Sequence, residues 1–229
     1  MRLLHVFISK FHHLNIAIRL QERGVLDRCV TGSPKILLGD AVAQCRLRVE
    51  SFPLFQAPLM VACRMGLGQG PVYDYYNHLA HKYLSEAASK FISDIDVVFG
   101  MSGSCLEVGK QLKARSGSTL VIERSSTHIG HQANLLRGEY ERFGLKAKAV
   151  AQIMIDRELE EYEIADLISV PSAACIQSFV DSGVPSRKLL LNPFFSIQAK
   201  VQIILRNSNI NYILIKAYAC NLATELLYS

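Results

Sequence analysis

The sequence has no run of about 18 uninterrupted apolar residues, so no membrane-spanning helix is predicted. The N-terminal apolar run from Leu3 to Ile8 is too short for a secretory signal, and no small-residue cleavage site follows it. Basic residues are scattered, and the formal net charge is only +5. We therefore expect no nucleic-acid partner, whereas weak attraction to an anionic membrane surface or to phosphates stays open.

Metal-binding and redox motifs are also missing from the sequence. Its six cysteines form no C-x-x-C pair, and the chain contains no histidine cluster at zinc-site spacing. We therefore expect no metal site. Several cysteines lie in apolar surroundings, where a free thiol behaves as a small buried hydrophobe. This usage indicates reduced thiols in a cytoplasmic protein.

What the sequence has is an alternation of apolar strands and helices, with 50% hydrophobic residues, enough for a sizeable core. Leu3 to Ile8 is predicted to be a buried strand. A helix from about His12 to Arg23 follows, with Gly24 as its stop, and Cys29 to Thr31 is a short second strand. Strand, helix and strand in this order indicate the opening unit of a parallel sheet.

The same alternation continues to Leu191 and predicts a doubly wound parallel α/β sheet of Rossmann type, with six or seven strands. Residues 35–72 carry three prolines and are predicted to form loops and short helices. The further predicted elements are helices over Tyr73–Phe91 and Cys105–Arg115, strands over Asp96–Phe99, Thr119–Glu123, Leu167–Val170 and Leu189–Leu191, and helical segments to about Phe143 and over Lys148–Ile164.

Three loops follow predicted strands, and in parallel α/β sheets ligands bind at this carboxyl edge. His12 ends the first loop at a helix N-terminus, where anions are stabilised, although a surface histidine would fit equally. Gly100 and Ser102 belong to the second, which lacks the spacing of a P-loop. It either lines the cleft with backbone N–H groups or is a plain strand-to-helix turn.

The third loop combines an arginine, two serines and a histidine, which supply hydrogen-bond donors and a group that titrates near neutral pH. They are Arg124, Ser125, Ser126 and His128. The alternative is a solvated loop whose Ser126 or Thr127 caps the next helix. Four glutamates further along the chain are predicted to form a solvated helix surface: Glu158, Glu160, Glu161 and Glu163.

The stretch from Glu158 to Pro193 contains an acidic helix, a short apolar strand, a Val-Pro-Ser helix start, a helix ending at Gly183 and a strand stopped by Asn192-Pro193. This order resembles the domain-closing segment of retaining glycosyltransferases with the two-domain GT-B fold. The segment around His12 resembles bacterial members of glycosyltransferase family 4, although Ser9-Lys10 replaces the Gly-Gly that many relatives carry there.

The resemblance implies that residues 1–197 are the N-terminal, acceptor-side domain of such an enzyme. Its donor would be a nucleotide-sugar, bound as a substrate, its acceptor a sugar, a lipid or another small molecule, and transfer would need no metal or other cofactor. The resemblance makes His128 the catalytic residue, which contacts the transferred sugar or the acceptor. Arg124 would contact a phosphate or the acceptor, and the other substrate-binding residues would be His12, Ser125, Ser126, Gly100 and Ser102.

Only 36 residues follow Pro193, where the resembled family continues into a donor-binding domain. We expect residues 198–229 to be an atypical apolar tail left by truncation or a frameshift, and the chain alone to transfer little or nothing. The alternative for the tail is a genuine extension that packs as a helix. The alternative for the whole chain is a non-catalytic remnant, or one subunit of a split transferase with a separate donor-domain partner.

Overall fold

A computed structural model describes residues 1–115, 117–145 and 150–193, and the backbone of residues 202–206 and 212–216. The strands are β1 (Leu3–Phe7), β2 (Leu26–Thr31), β3 (Val49–Ser51), β4 (Val97–Met101), β5 (Thr119–Glu123), β6 (Leu167–Val170), β7 (Leu189–Leu191), β8 (Gln202–Arg206) and β9 (Tyr212–Lys216). The helices are α1 (His13–Glu22), α2 (Ala41–Gln44), α3 (Gln56–Arg64), α4 (Pro71–Ala88), α5 (Leu106–Lys113), α6 (Ile129–Arg142), α7 (Gln152–Ile164) and α8 (Ala173–Asp181).

Strands β1 to β7 form one parallel sheet in the order β3-β2-β1-β4-β5-β6-β7. The strand order reverses between β1 and β4, and at such a switch point the loops that leave the two strands diverge and open a crevice. The predicted doubly wound parallel α/β sheet is confirmed. Among the residues that the structure describes, no helix is both long and apolar enough to cross a bilayer.

Both faces of the central strands β1, β4, β5 and β6 are buried, which explains why these strands appear in the sequence as continuous apolar runs. Leu4 and Val6 of β1 face a core that includes residues of α4, α5, α7 and α8. Leu3 and Phe7 of the same strand face the opposite core, which is shared with α1. Alternate residues of one strand therefore stabilise two separate layers of helices.

The largest difference from the sequence-based expectation lies in residues 35–72. Besides the expected short helices, this region contains β3, which pairs with β2 from Cys29 to Thr31 and forms one edge of the sheet. With only three residues, two of them polar, β3 has too little apolar periodicity to be recognised. Strand β2 also begins earlier than predicted, at Leu26, and its charged residue Asp27 is paired with Arg2 and Arg28.

The tail beyond Pro193 contributes a separate antiparallel pair, β8 and β9, in which Gln202 lies opposite Lys216 and Arg206 opposite Tyr212. The alternative of a helical tail is therefore wrong for these two segments. Their runs of isoleucine, leucine and tyrosine favour strands. The boundary predicted between residues 197 and 198 lies outside the described residues.

Gly100 allows β4 to pack closely against its neighbours. A Cβ atom at this position would overlap Sγ of the buried Cys105 and lie 3.0 Å from the carbonyl oxygen of Val6. We expect Gly100→Ala to lower the free energy of unfolding by about 1–3 kcal/mol, the cost of overpacking a filled core. Urea-induced unfolding measures this change.

The control for this substitution is Gly138→Ala in α6, where no neighbouring heavy atom lies within 4 Å of the added Cβ. Replacing a glycine inside a helix by alanine stabilises it by up to about 1 kcal/mol. If the two variants unfold at the same urea concentration, the close packing around Gly100 contributes nothing to stability.

Candidate functional site

The three predicted loops lie at the carboxyl edge of the sheet, after the adjacent strands β1, β4 and β5. His12 immediately precedes α1, while Glu123 is the last residue of β5. Although these two residues are 111 positions apart in the chain, their side chains are in contact. The switch-point crevice therefore has a histidine and a carboxylate beside it.

The His12 imidazole is held by a buried carboxylate. Its Nε2 atom lies 3.0 Å from both Oε1 and Oε2 of Glu123. The His12 side chain is 31% exposed and that of Glu123 only 2%, so the pair presents the histidine, and not the acid, to the solvent. The hydroxyl of the exposed Ser125 donates to Oε1 of Glu123 at 3.0 Å, and Ser126 follows, half-buried, in the same turn.

His13 lies directly behind this pair and is fully buried. Its Nε2 atom is 3.4 Å from Oε2 of Glu123, and its ring stacks on those of Phe7 and His12. Burial, and the proximity of His5 and His12, lower the pKa of His13 well below the ordinary value of 6.5. Burial also lowers the pKa of His5 to about 4. Both buried imidazoles are therefore neutral near physiological pH.

Arg124 holds its own loop in place. Its Nη1 atom donates to Glu158 and its Nε atom to the carbonyl oxygen of Thr127, at 3.0 and 3.2 Å. Its Nη2 atom donates to Oε1 of Gln132. All three guanidinium nitrogens thus donate to groups of the protein. The main structural role of Arg124 is therefore to connect its loop to Glu158 on α7.

His128, the residue predicted to be catalytic, is packed into the protein and only 6% exposed. Its ring lies 5.4 Å from that of Tyr162 and meets that of Phe179 edge-on at 5.1 Å, while its backbone N–H donates to Ser178. Burial and the nearby Arg124 lower its pKa. Of the two histidines assigned a site role, His12 is the accessible one.

The loop between β4 and α5 uses its polar groups internally. Ser102 is 5% exposed and donates to Oε2 of Glu158 at 2.5 Å. The backbone N–H groups of Gly103 and Cys105 donate to the two carboxylate oxygens of Glu161 at 2.5 and 2.6 Å. An internal carboxylate thus occupies the anion-binding position at the start of α5, so these two N–H groups face the protein and not the cleft.

The expectation that the glutamates of α7 form a solvated surface is therefore wrong for two of them. Glu158 and Glu161 are 5% and 0% exposed, whereas Glu163 is exposed and Glu160 is partly exposed and paired with Lys110. The buried pair is compensated by Arg124, by Arg157 and by the loop amides, because α7 packs over the turn that follows β4. Burial raises the pKa of Glu161 to about 8, and Arg157 and the amide donors oppose this shift.

No protein-family model matches this sequence, and no curated protein matches it. Solved structures match the fold. A UGT2 of Phytolacca americana complexed with UDP-2fluoro-glucose and pterostilbene aligns with 91% of this chain and 56% of its own, at a TM-score of 0.56 and 11% identity. TcCGT1 in complex with UDP aligns with 91% of this chain and 53% of its own, at 0.51 and 9%.

A UDP-N-acetylglucosamine 2-epimerase aligns with 84% of this chain and 46% of its own, at a TM-score of 0.51 and 9% identity. The chain thus spans about half the length of the solved structures that it matches. These structures are of GT-B type. The fold is therefore a Rossmann-like α/β domain of the kind that forms one half of a GT-B enzyme, as the resemblance in the sequence implied.

Proposed function

We propose that this chain is the acceptor-side half of a glycosyltransferase that uses a nucleotide-sugar donor. The observation that carries the proposal is an accessible histidine, held by a buried glutamate, at the switch point of a half GT-B fold. Two solved structures with this fold contain UDP or a UDP-sugar derivative. In the proposed reaction the sugar moves from the nucleoside diphosphate to a hydroxyl group of a sugar, a lipid or another small molecule.

In this proposal His12 and Ser125 bind the acceptor. Both lie at the crevice edge, and both are hydrogen-bonded to Glu123, which fixes their orientation before a ligand arrives. Arg124 and Ser126 shape the same loop. His128 contacts the transferred sugar only through the side of its ring that remains accessible, so its role depends on closure by a second domain.

The resemblance to family 4 extends the proposal to transfer with retention of configuration. In that chemistry the leaving diphosphate and the acceptor hydroxyl lie on one face of the sugar, and the rate depends chiefly on stabilising the departing diphosphate. In the resembled family the second domain provides those groups. We therefore assign acceptor binding, and not turnover, to this chain, with no metal in the transfer step.

A second candidate is a non-catalytic subunit of a split transferase whose donor-binding half is a separate protein. The observation in its favour is that the chain spans about half the length of its structural neighbours. In either case we place the protein in the cytoplasm, with weak peripheral contact to a membrane as a further prediction. Copurification of a separate Rossmann-like domain with this chain would favour the second candidate.

The test is ligand binding in the presence of a chelator. We expect simple methyl glycosides or a phenolic acceptor such as pterostilbene to bind, with affinity at least about tenfold lower in His12→Gln, as is usual when a hydrogen bond to a ligand is lost. His131→Gln, an exposed position on α6, is the matched control. Ligand-observed NMR measures the affinities, and equal binding by His12→Gln and wild type would contradict the assignment.

We also expect no release of nucleotide from UDP-glucose or UDP-N-acetylglucosamine by the isolated chain. A coupled assay for free UDP measures this directly. If the chain turns over either sugar, and His128→Ala abolishes the turnover, the chain is an active enzyme without a second half.

A further inference from the structure

Two imidazoles and a carboxylate converge at the crevice edge in an arrangement typical of metal ligands. One nitrogen from each of His12 and His13 and one oxygen of Glu123 all lie within 4.8 Å of one another. We propose that these three residues bind a divalent transition-metal ion, with Zn²⁺ as the ion that they suit best. This proposal rests on the geometry of the three side chains and not on the proposed sugar transfer.

The distances are close to those that a bound ion requires. Nitrogen and oxygen ligands lie about 2.0–2.2 Å from Zn²⁺, so tetrahedral ligand atoms are about 3.3–3.5 Å apart. His13 Nε2 is 3.4 Å from Oε2 of Glu123, and His12 Nε2 is 3.0 Å from the same carboxylate. Because the His12 and His13 rings are stacked, ion binding requires the partly exposed His12 ring to turn until both Nε2 atoms face the same ion.

His13 provides an independent reason to expect a ligand. It is fully buried, and among the described residues neither of its ring nitrogens has a hydrogen-bond partner of good geometry. Its Nε2 atom nevertheless lies 3.4 Å from Oε2 of Glu123. Buried polar groups are almost always satisfied, and a bound water or ion is one partner that can satisfy such a group. A metal ion between His13 and Glu123 would satisfy both side chains.

The surroundings support coordination by these groups. Ser125 donates to Oε1 of Glu123, as outer-shell partners of metal-binding carboxylates do. Stacking on Phe7 fixes the ring of His13. The positive end of the α1 dipole disfavours a cation at this place, and the negative charge of Glu123 offsets it.

The ligand set also selects the ion. Two imidazole nitrogens with one carboxylate suit Zn²⁺, Co²⁺ and similar ions, whereas Mg²⁺ and Ca²⁺ prefer oxygen alone. Three protein ligands leave a fourth position on a tetrahedral ion, and His12, 31% exposed, is the ligand that solvent can reach. Such an open position accepts water or a ligand hydroxyl, unlike a closed structural zinc site.

The test uses Co²⁺ as a spectroscopic probe and Zn²⁺ as its competitor, with the full chain. We expect one Co²⁺ to bind with weak visible bands of nitrogen and oxygen coordination, to be displaced by Zn²⁺ and to be unaffected by Mg²⁺. His12→Gln and Glu123→Gln should each weaken binding by at least about tenfold. His131→Gln should bind as wild type does.

Two results would overturn the proposal. A strong near-ultraviolet thiolate band would show that Co²⁺ binds a cysteine such as the exposed Cys63 instead. Equal affinities in wild type and His12→Gln would show that the histidine cluster is not the site. Circular dichroism of each variant in chelator establishes that it is folded, and should Glu123→Gln not fold, the partly exposed His12→Gln decides the question.

Discussion

Replacing Arg157 by methionine should lower the free energy of unfolding by about 3–5 kcal/mol, because it leaves Glu107, only 19% exposed, without the buried arginine that pairs with it. Arg157 is 3% exposed. Its Nε atom donates to the carbonyl oxygen of Gly103 at 2.6 Å, and its Nη atoms donate to both oxygens of Glu107 at 2.8 and 2.5 Å. Methionine fills the volume but satisfies none of these acceptors.

The matched control is Arg142→Met on α6. Arg142 pairs with Glu139 at 3.0 Å, but both side chains are largely exposed, at 68% and 48%. Exposed pairs of this kind contribute at most about 1 kcal/mol. Urea-induced unfolding near neutral pH compares the two variants. A loss below about 1 kcal/mol for Arg157→Met would mean that water replaces the arginine at little cost.

The buried contacts of Arg157, Glu158 and Glu161 on α7 also fix the positions of loops at the candidate site. Helix α7 holds the β4–α5 turn through Arg157 and Glu161, and it holds the loop after β5 through Glu158, which accepts from Arg124 and Ser102. Two of the three loops at the crevice edge are therefore fixed from behind by one helix. The side chains of His12 and Ser125 are hydrogen-bonded to Glu123 and not to α7.

Much of the fold could be predicted because its signals are local. Strands buried on both faces appear as apolar runs, and Gly24 and Gly183 mark helix ends by adopting positive φ angles. Strands β5, β6 and β7 have the predicted bounds. Helix α7 begins at Gln152, later than the predicted Lys148, and residues 146–149 lie outside the described part of the chain.

The role of Glu123 could not be read from spacing along the chain, since its partner His12 is 111 residues away. One signal was present. An acid that ends the apolar strand T-L-V-I-E is predicted to be buried, and a buried carboxylate requires a compensating group. A search for histidines at the ends of neighbouring strands would have found His12 and His13. The sequence lacks the short spacings typical of zinc-binding motifs. That absence does not exclude a metal site whose ligands, here His12, His13 and Glu123, come from two distant segments.

The sequence also contained an indication that Glu158 and Glu161 are buried. Both lie at helical spacing from Met154, at i+4 and i+7, and therefore on the face of α7 that also carries buried apolar residues. The density of acidic residues in the segment obscured this periodicity. Glu160 and Glu163 lie on the opposite side of the helix. The prediction of a solvated surface holds there for Glu163, while Glu160 is partly exposed and pairs with Lys110.

The same buried network should make the protein sensitive to acid through His81. Burial and the nearby Arg157 lower the pKa of His81 from 6.5 to about 3, and its Nδ1 atom is 2.9 Å from the Ser104 hydroxyl. Below pH 6.5 the unfolded chain takes up a proton at this histidine, whereas the folded chain does so only near pH 3. The stability that neutral His81 contributes is therefore complete above pH 6.5 and is lost as the pH falls.

Each pH unit in this range changes the free energy of unfolding by about 1.4 kcal/mol for one such group. Between about pH 7 and pH 4.5 we therefore expect His81→Gln to lose about 2–3 kcal/mol less stability than wild type. Glutamine keeps a hydrogen-bond partner for Ser104 but has no charge to gain. Urea-induced unfolding of wild type and His81→Gln at both pH values gives this difference. Other titrating groups such as Glu161 are present in both proteins, so their contributions cancel.

The exposed His131→Gln is the control and should follow the pH dependence of wild type. Identical pH dependence in wild type and His81→Gln would show that His81 titrates alike in the folded and unfolded chain. The Arg157 ion pair and the titration of His81 are also coupled. Since Arg157 helps to lower the pKa of His81, Arg157→Met should raise that pKa and reduce the acid-dependent loss, even though it lowers the stability at neutral pH.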